Sequence, residues 1–160
     1  MPDATKNKQR DLRQDDQAIR SLTFQLIVLM NLITKPFNAV HGARHGIALS
    51  EWRCIMWLAA CPDASGQDTA DGIGMDRMSV SRNLRSLERK GLAKRSEDQK
   101  DRKRWNWRLS SKGWSVYLQI LPAAMKRDQL IESNLSPASR DAVAEFLASA
   151  KAMLESEDEN

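Results

Sequence analysis

The 160-residue chain has only two cysteines, two histidines and one tyrosine. Its apolar runs, Leu26 to Met30 among them, stop far short of the ~20 residues that a membrane-spanning helix needs. The stretch up to Asp16 is polar and has no signal-peptide core, so the expected compartment is the cytoplasm. Cys54 and Cys61 sit seven positions apart on one expected helix. That spacing separates them by roughly 10 Å, beyond the reach of a disulfide. The apolar neighbours Ile55, Met56 and Leu58 mark them as buried, reduced thiols rather than redox sensors. His41 and His45 have a helical zinc spacing, but Gly42 intervenes and no Cys or carboxylate cluster completes a site, so no metal is expected. Enzyme signatures are missing too: there is no G-x-S-x-G, Walker loop, H-E-x-x-H or dinucleotide fingerprint. Gly72-Ile73-Gly74 reads as a turn and not a phosphate cradle. Neither a catalytic residue nor a cofactor is expected.

What the chain does have is charge in one place. Residues 77 to 108 hold twelve Lys and Arg against four Asp and Glu, a net of +8. The remainder holds thirteen against seventeen, a net of −4. A basic block in an otherwise acidic protein points to a polyanionic partner for that block. The competing reading is a solvated helix face.

Periodicity supplies the elements. From Asp15, the residues Ile19, Leu22, Leu26, Leu29, Ile33 and Phe37 recur at helical spacing, with a kink expected at Pro36 and an exit at Gly42 and Gly46. Ser50 is the expected N-cap of a buried helix through Ala60, closed by Pro62. A short helix over Gln67 to Ile73 follows, weakened by Gly72. Asp76 then caps a helix to about Lys90, with Val80, Leu84 and Leu87 facing inward and Gly91 as its left-handed cap. Beyond Gly91 the period becomes two. Leu92 to Ser96 and Arg104 to Leu109 read as strands, with Glu97 to Lys103 as a charged hairpin tip. Trp105, Trp107 and Leu109 share one face of the second strand, and Arg104, Asn106 and Arg108 the other. A helix opening at Ser110 or Ser111 runs to about Ser133, and a last one is capped by Ser136 with Pro137 at its first position.

Helix, helix, short helix, turn, helix and hairpin is the order of a winged helix-turn-helix, whose second motif helix enters the major groove. The fold class is therefore mainly α (α+β). Opposite the inward stripe of that helix lie Met78, Arg82, Arg85 and Arg89, with Arg77, Ser79 and Ser81 near its amino end. Arg82 is the candidate for reading guanine, because its planar fork matches O6 and N7. Ser79 and Ser81 suit bases or phosphates, and Met78 a thymine methyl. Lys100, Arg102, Lys103 and Arg104 at the hairpin suit a narrow minor groove, and Asp101 suits holding one of them.

The segments 49–53 (LSEWR), 76–92 (DRMSVSRNLRSLERKGL) and 98–113 (DQKDRKRWNWRLSSKG) resemble successive signatures of MarR-type transcriptional regulators. The likeness covers about residues 20–155. It implies a homodimer joined by its terminal helices, a pseudo-palindromic operator, repression, and release by a small aromatic or phenolic effector. The implied organisation is a disordered tail (1–14), dimerisation helices (15–46 and 111–155), a DNA-binding domain (47–110) and an acidic tail (156–160). The effector site of such proteins would fall at His41, Arg44, His45, Trp52 and Arg53, where cations adjoin an aromatic wall. The alternative is that Trp52 is core, Arg53 a structural ion pair and both histidines surface. Two positions depart from the family pattern. Lys103 stands where the wing tip usually has Arg, and Asn83 replaces an apolar residue, so Asn83 either reaches DNA or bonds locally. A winged-helix interaction module without DNA binding is the rival function; Arg82 and Arg85 speak against it.

Overall fold

The computed structural model describes residues 17–98 and 104–158. The expected amino-terminal tail and residues 99–103 of the expected hairpin tip lie outside the described residues. The chain divides after Trp114 into two compact units.

The first unit opens with a helical turn, Gln17–Arg20, and helix α1, Leu22–Phe37. Pro36 cannot donate an amide, and a widened π-type turn over Asn38–Gly42 follows it. Helix α2 is Leu49–Ala60, α3 is Gly66–Ile73 and α4 is Arg77–Arg89. Three short antiparallel strands complete the unit: β1 (Ala64–Ser65), β2 (Ala93–Glu97) and β3 (Trp105–Leu109), in the order β1-β3-β2. Ile55, Leu58, Val80, Leu84 and Leu87 are fully buried and form the core between α2 and α4.

Local chemistry sets each boundary. The N-cap of α2 is Ala48 and not Ser50, because Glu51 reaches back and accepts the Ala48 amide at 2.7 Å. Ser50 is thereby inside the helix, and its hydroxyl donates to Asn83 Oδ1 at 3.2 Å. Helix α3 starts one residue earlier than expected, on a reciprocal capping box. The Ser65 hydroxyl accepts the Asp68 amide at 3.1 Å, and Asp68 accepts the Ser65 amide at 2.9 Å. Helix α4 ends at Gly91, whose φ of 71° lets the Leu92 amide return to the Leu87 carbonyl at 2.8 Å. On β3 the expected face divides. Trp107 and Leu109 are buried, whereas Trp105, at the far end of the strand, is 38% exposed. The Arg95 guanidinium covers its ring at 4.4 Å.

Gly72 has a packing reason to interrupt α3. A Cβ there would overlap the indole ring of Trp57, so only a bare backbone lets α3 lie against α2. Gly72→Ala should destabilise the protein by about 1–3 kcal/mol from overpacking, outweighing the ~1 kcal/mol that alanine gains in helix propensity. Urea unfolding measures the loss, and a Trp57→Leu background should remove most of it.

The second unit holds most of α5 (Ser111–Glu132) and all of α6 (Pro137–Asp158). The Ser136 hydroxyl caps α6 by accepting the Ser139 amide at 3.1 Å. The helix runs on to Asp158, so the first residues of the expected acidic tail are helical. Val143, Phe146, Leu147, Met153 and Leu154 are exposed on it. No helix among the described residues is long and apolar enough to cross a membrane.

Candidate nucleic-acid interface

The amino end of α4 is fixed by Asp76, whose carboxylate accepts the Ser79 amide at 2.8 Å. That hydrogen bond holds the Asp76 carboxyl below its ordinary range. Burial of Val80, Leu84 and Leu87 fixes the roll of the helix about its axis. Met78 (68% exposed), Arg82, Arg85 and Arg89 therefore point outward together, with Arg77 exposed in the first turn. Ser79 and Ser81 are half-buried at the flanks of that face. Arg82 Nη2 donates to the Ser79 hydroxyl at 2.8 Å, which orients its fork along the helix.

The fold sorts the basic block into two kinds of residue. Lys90 pairs with Glu51, Arg95 with Glu88 at 3.1 Å, Arg104 with Asp68 at 2.7 Å and Arg108 with Asp63 at 2.8 Å. These four brace the helices and strands. Among the described residues, no carboxylate lies within ion-pair distance of Arg77, Arg82, Arg85 or Arg89. Most of the uncompensated charge among the described residues of the block thus lies on the outward face of α4, with Lys94 exposed on β2. Of the hairpin candidates, Arg104 donates to both Asp68 oxygens and to the Ser65 hydroxyl, tying β3 to the amino end of α3. Lys100, Arg102 and Lys103, with Asp101, fall outside the described residues. Asn83 bonds locally: it faces Ser50 on α2 and not the exposed side of α4.

The sequence and the fold are both similar to those of known proteins. The sequence profile of the MarR family matches residues 45–104. A MarR/EmrR-family transcriptional regulator from Acinetobacter sp. ADP1 superposes with a TM-score of 0.77 at 24% identity, over 86% of this chain and 96% of that one. Residues 45–104 thus carry the signature of the MarR family. NadR in complex with 4-hydroxyphenylacetate superposes with a TM-score of 0.72 at 25% identity, over 82% and 92% of the two chains. The S. aureus MepR–DNA complex does so at 0.75 and 20% identity, over 84% and 96%. No curated protein matches the sequence. MarR-family proteins are transcriptional regulators and not enzymes.

Two of the five candidate effector residues meet in an aromatic cluster. Trp52 is buried and stacks on Phe37, with ring centroids 6.0 Å apart and an interplanar angle of 27°. His41 lies 6.0 Å from the same Phe37 ring. Phe37, read from the sequence only as part of a helical stripe, is the residue that joins them. His45 is half-buried; burial, then the charges of Arg44 and His41, lower its pKa. Arg44 is exposed and Arg53 half-buried. The described residues include no group of three or more His, Cys, Asp or Glu that could hold a metal.

Glu51 was not visible as a functional residue in the sequence. It is 3% exposed, yet it accepts the Ala48 amide and Lys90 Nζ at 2.6 Å. Burial pushes its carboxyl up, but hydrogen bonds from Lys90, the Ala48 amide and Ser86 outweigh this and leave it below its ordinary value. A depressed folded pKa contributes stability above the ordinary carboxylate range and loses it as pH falls through the folded value. The stability advantage of wild type over Glu51→Gln should therefore be full at about pH 7 and shrink below about pH 4, as measured by urea midpoints across pH.

Proposed function

We propose that the protein is a homodimeric, sequence-specific double-stranded DNA-binding regulator in the cytoplasm, a repressor released by a small aromatic or phenolic acid. The observation that carries this reading is the outward face of α4, where Arg77, Arg82, Arg85 and Arg89 stand without carboxylate partners among the described residues. Four unpaired guanidinium groups on one helix cost stability by mutual repulsion, and a phosphate backbone is the partner that relieves it. Met78, Ser79, Ser81 and Arg82 at the amino end of α4 are the proposed base readers, and Arg85 a phosphate contact. Lys100, Arg102 and Lys103 are the proposed wing contacts. Arg104 joins them as an arginine prepositioned by Asp68 that keeps about half of its side chain exposed (48%).

Support for the effector comes from the cluster of Phe37, Trp52 and His41 beside Arg44, His45 and Arg53. An aromatic acid would stack on the rings and place its carboxylate on an arginine. NadR, of similar fold, holds 4-hydroxyphenylacetate. Support for the dimer comes from α1, where Leu22, Phe24, Ile27, Leu29 and Leu32 are all exposed in the single chain. So much apolar surface on one helix calls for a partner, and the pseudo-palindromic operator would repeat the symmetry of the pair.

The salt dependence of duplex binding tests the reading. Neutralising six to ten phosphates per dimer should cost about 10³–10⁵ in affinity between about 50 and 200 mM salt. Binding that ignores salt, or no binding, would identify a winged-helix interaction module instead.

A further inference from the structure

We propose that Glu51 is a positioning residue for DNA recognition: its buried carboxylate fixes the pose of α4 by holding the cap of that helix against the amino end of α2. The inference rests on the DNA-binding reading above and adds to it a residue that touches no DNA.

Three observations support it. First, the carboxylate is 4% exposed and takes Lys90 Nζ on both oxygens, at 2.7 and 2.6 Å, so the pair is bidentate and dry on one side. Second, Lys90 is the C-cap residue of α4, so the carboxylate meets the recognition helix at its end. A single anion thus grips the C-cap of the recognition helix. Third, the other end of the grip is backbone: Glu51 Oε2 accepts the amide of Ala48, three residues beyond His45. The far side of the cap is closed as well, since Lys112 Nζ donates to the Lys90 carbonyl at 2.9 Å and the Ser110 hydroxyl to that of Gly91 at 2.6 Å. Apolar packing by Val80, Leu84 and Leu87 sets which face of α4 looks outward, but a smooth stripe lets a helix slide and tilt. A buried, directional ion pair at one end removes that freedom, the use for which buried polar groups are best attested.

The test exploits a difference of sign. Glu51→Gln raises the net charge by one, so electrostatics alone makes it bind every duplex more tightly. Positioning makes it bind the correct duplex less well. The probes are the tightest duplex selected by the wild-type protein from random sequence and a scrambled duplex of equal length. For Glu51→Gln the ratio of the two affinities should fall about tenfold or more, with the scrambled duplex bound as well as before or better. The double variant Glu51→Gln/Lys90→Gln replaces the ion pair with a neutral hydrogen bond and should recover most of the ratio. If Glu51→Gln does not fold, Lys90→Gln alone decides, because positioning requires its ratio to fall and an unchanged ratio overturns the inference. A ratio kept by Glu51→Gln, or the same loss on both duplexes, overturns the inference alone. A wild-type protein that prefers no duplex overturns the DNA-binding reading and this inference with it.

Discussion

Arg82→Ala should weaken the selected duplex about 5- to 150-fold, the equivalent of 1–3 kcal/mol, with the loss concentrated at one base pair of each half-site. The reason is geometric. Arg82 lies one turn into α4, is exposed, and is bonded along the helix to Ser79, so its fork is steadied before any duplex arrives. A steadied bidentate donor discriminates guanine from other bases, whereas a loose cation only adds attraction. Repeating the random-duplex selection with the variant should show relaxed preference at that base pair and unchanged preference elsewhere. A uniform loss over all duplexes, with a salt slope lower by about one, would place Arg82 on a phosphate.

A larger effect is expected far from the cationic face. Leu29→Glu puts a carboxylate on the exposed apolar side of α1, where Leu22 and Leu32 are also exposed in the single chain. Burial of an unpaired charge in the proposed interface costs several kcal/mol, so the variant should elute as a monomer. Two linked half-sites gain about 10²–10⁴ over one, and that gain should vanish with the dimer. Operator affinity should fall at least a hundredfold on this estimate, while circular dichroism retains the winged helix. A Leu29→Glu protein that stays dimeric with full affinity would remove α1 from the interface.

How much of this was legible in the sequence depended on the reach of the contacts involved. Asp76 as a cap, Gly91 as a left-handed stop and the stripe of Val80, Leu84 and Leu87 are all local, and all could be read from spacing. Strand β1 was missed because two residues, Ala64 and Ser65, are too few to show a period. Its partners Trp107 and Asn106 lie some forty positions away. Ser50 looked like the N-cap of α2 by residue type. The structure prefers Glu51 at the third position, since a carboxylate that already meets Lys90 also satisfies the Ala48 amide. Gly72 looked like a weakness of α3 until Trp57 was seen lying across it. The basic block illustrates the same limit. Its charge was countable, but its division into braces and a free face rests on Glu51, Asp63 and Asp68, all distant in sequence from their partners.

The burial of Cys54 has a practical consequence. Its thiol is inaccessible, and burial together with the Glu51 charge pushes its pKa up to about 12. At neutral pH only about one such group in 10⁵ is thiolate, the form that alkylating reagents attack. Cys61, half-buried at the C-cap of the same helix, is open to the same reagent. The two labelling rates in one sample therefore form a clock, with Cys61 timing the reagent and Cys54 timing the opening of the core between α2 and α4.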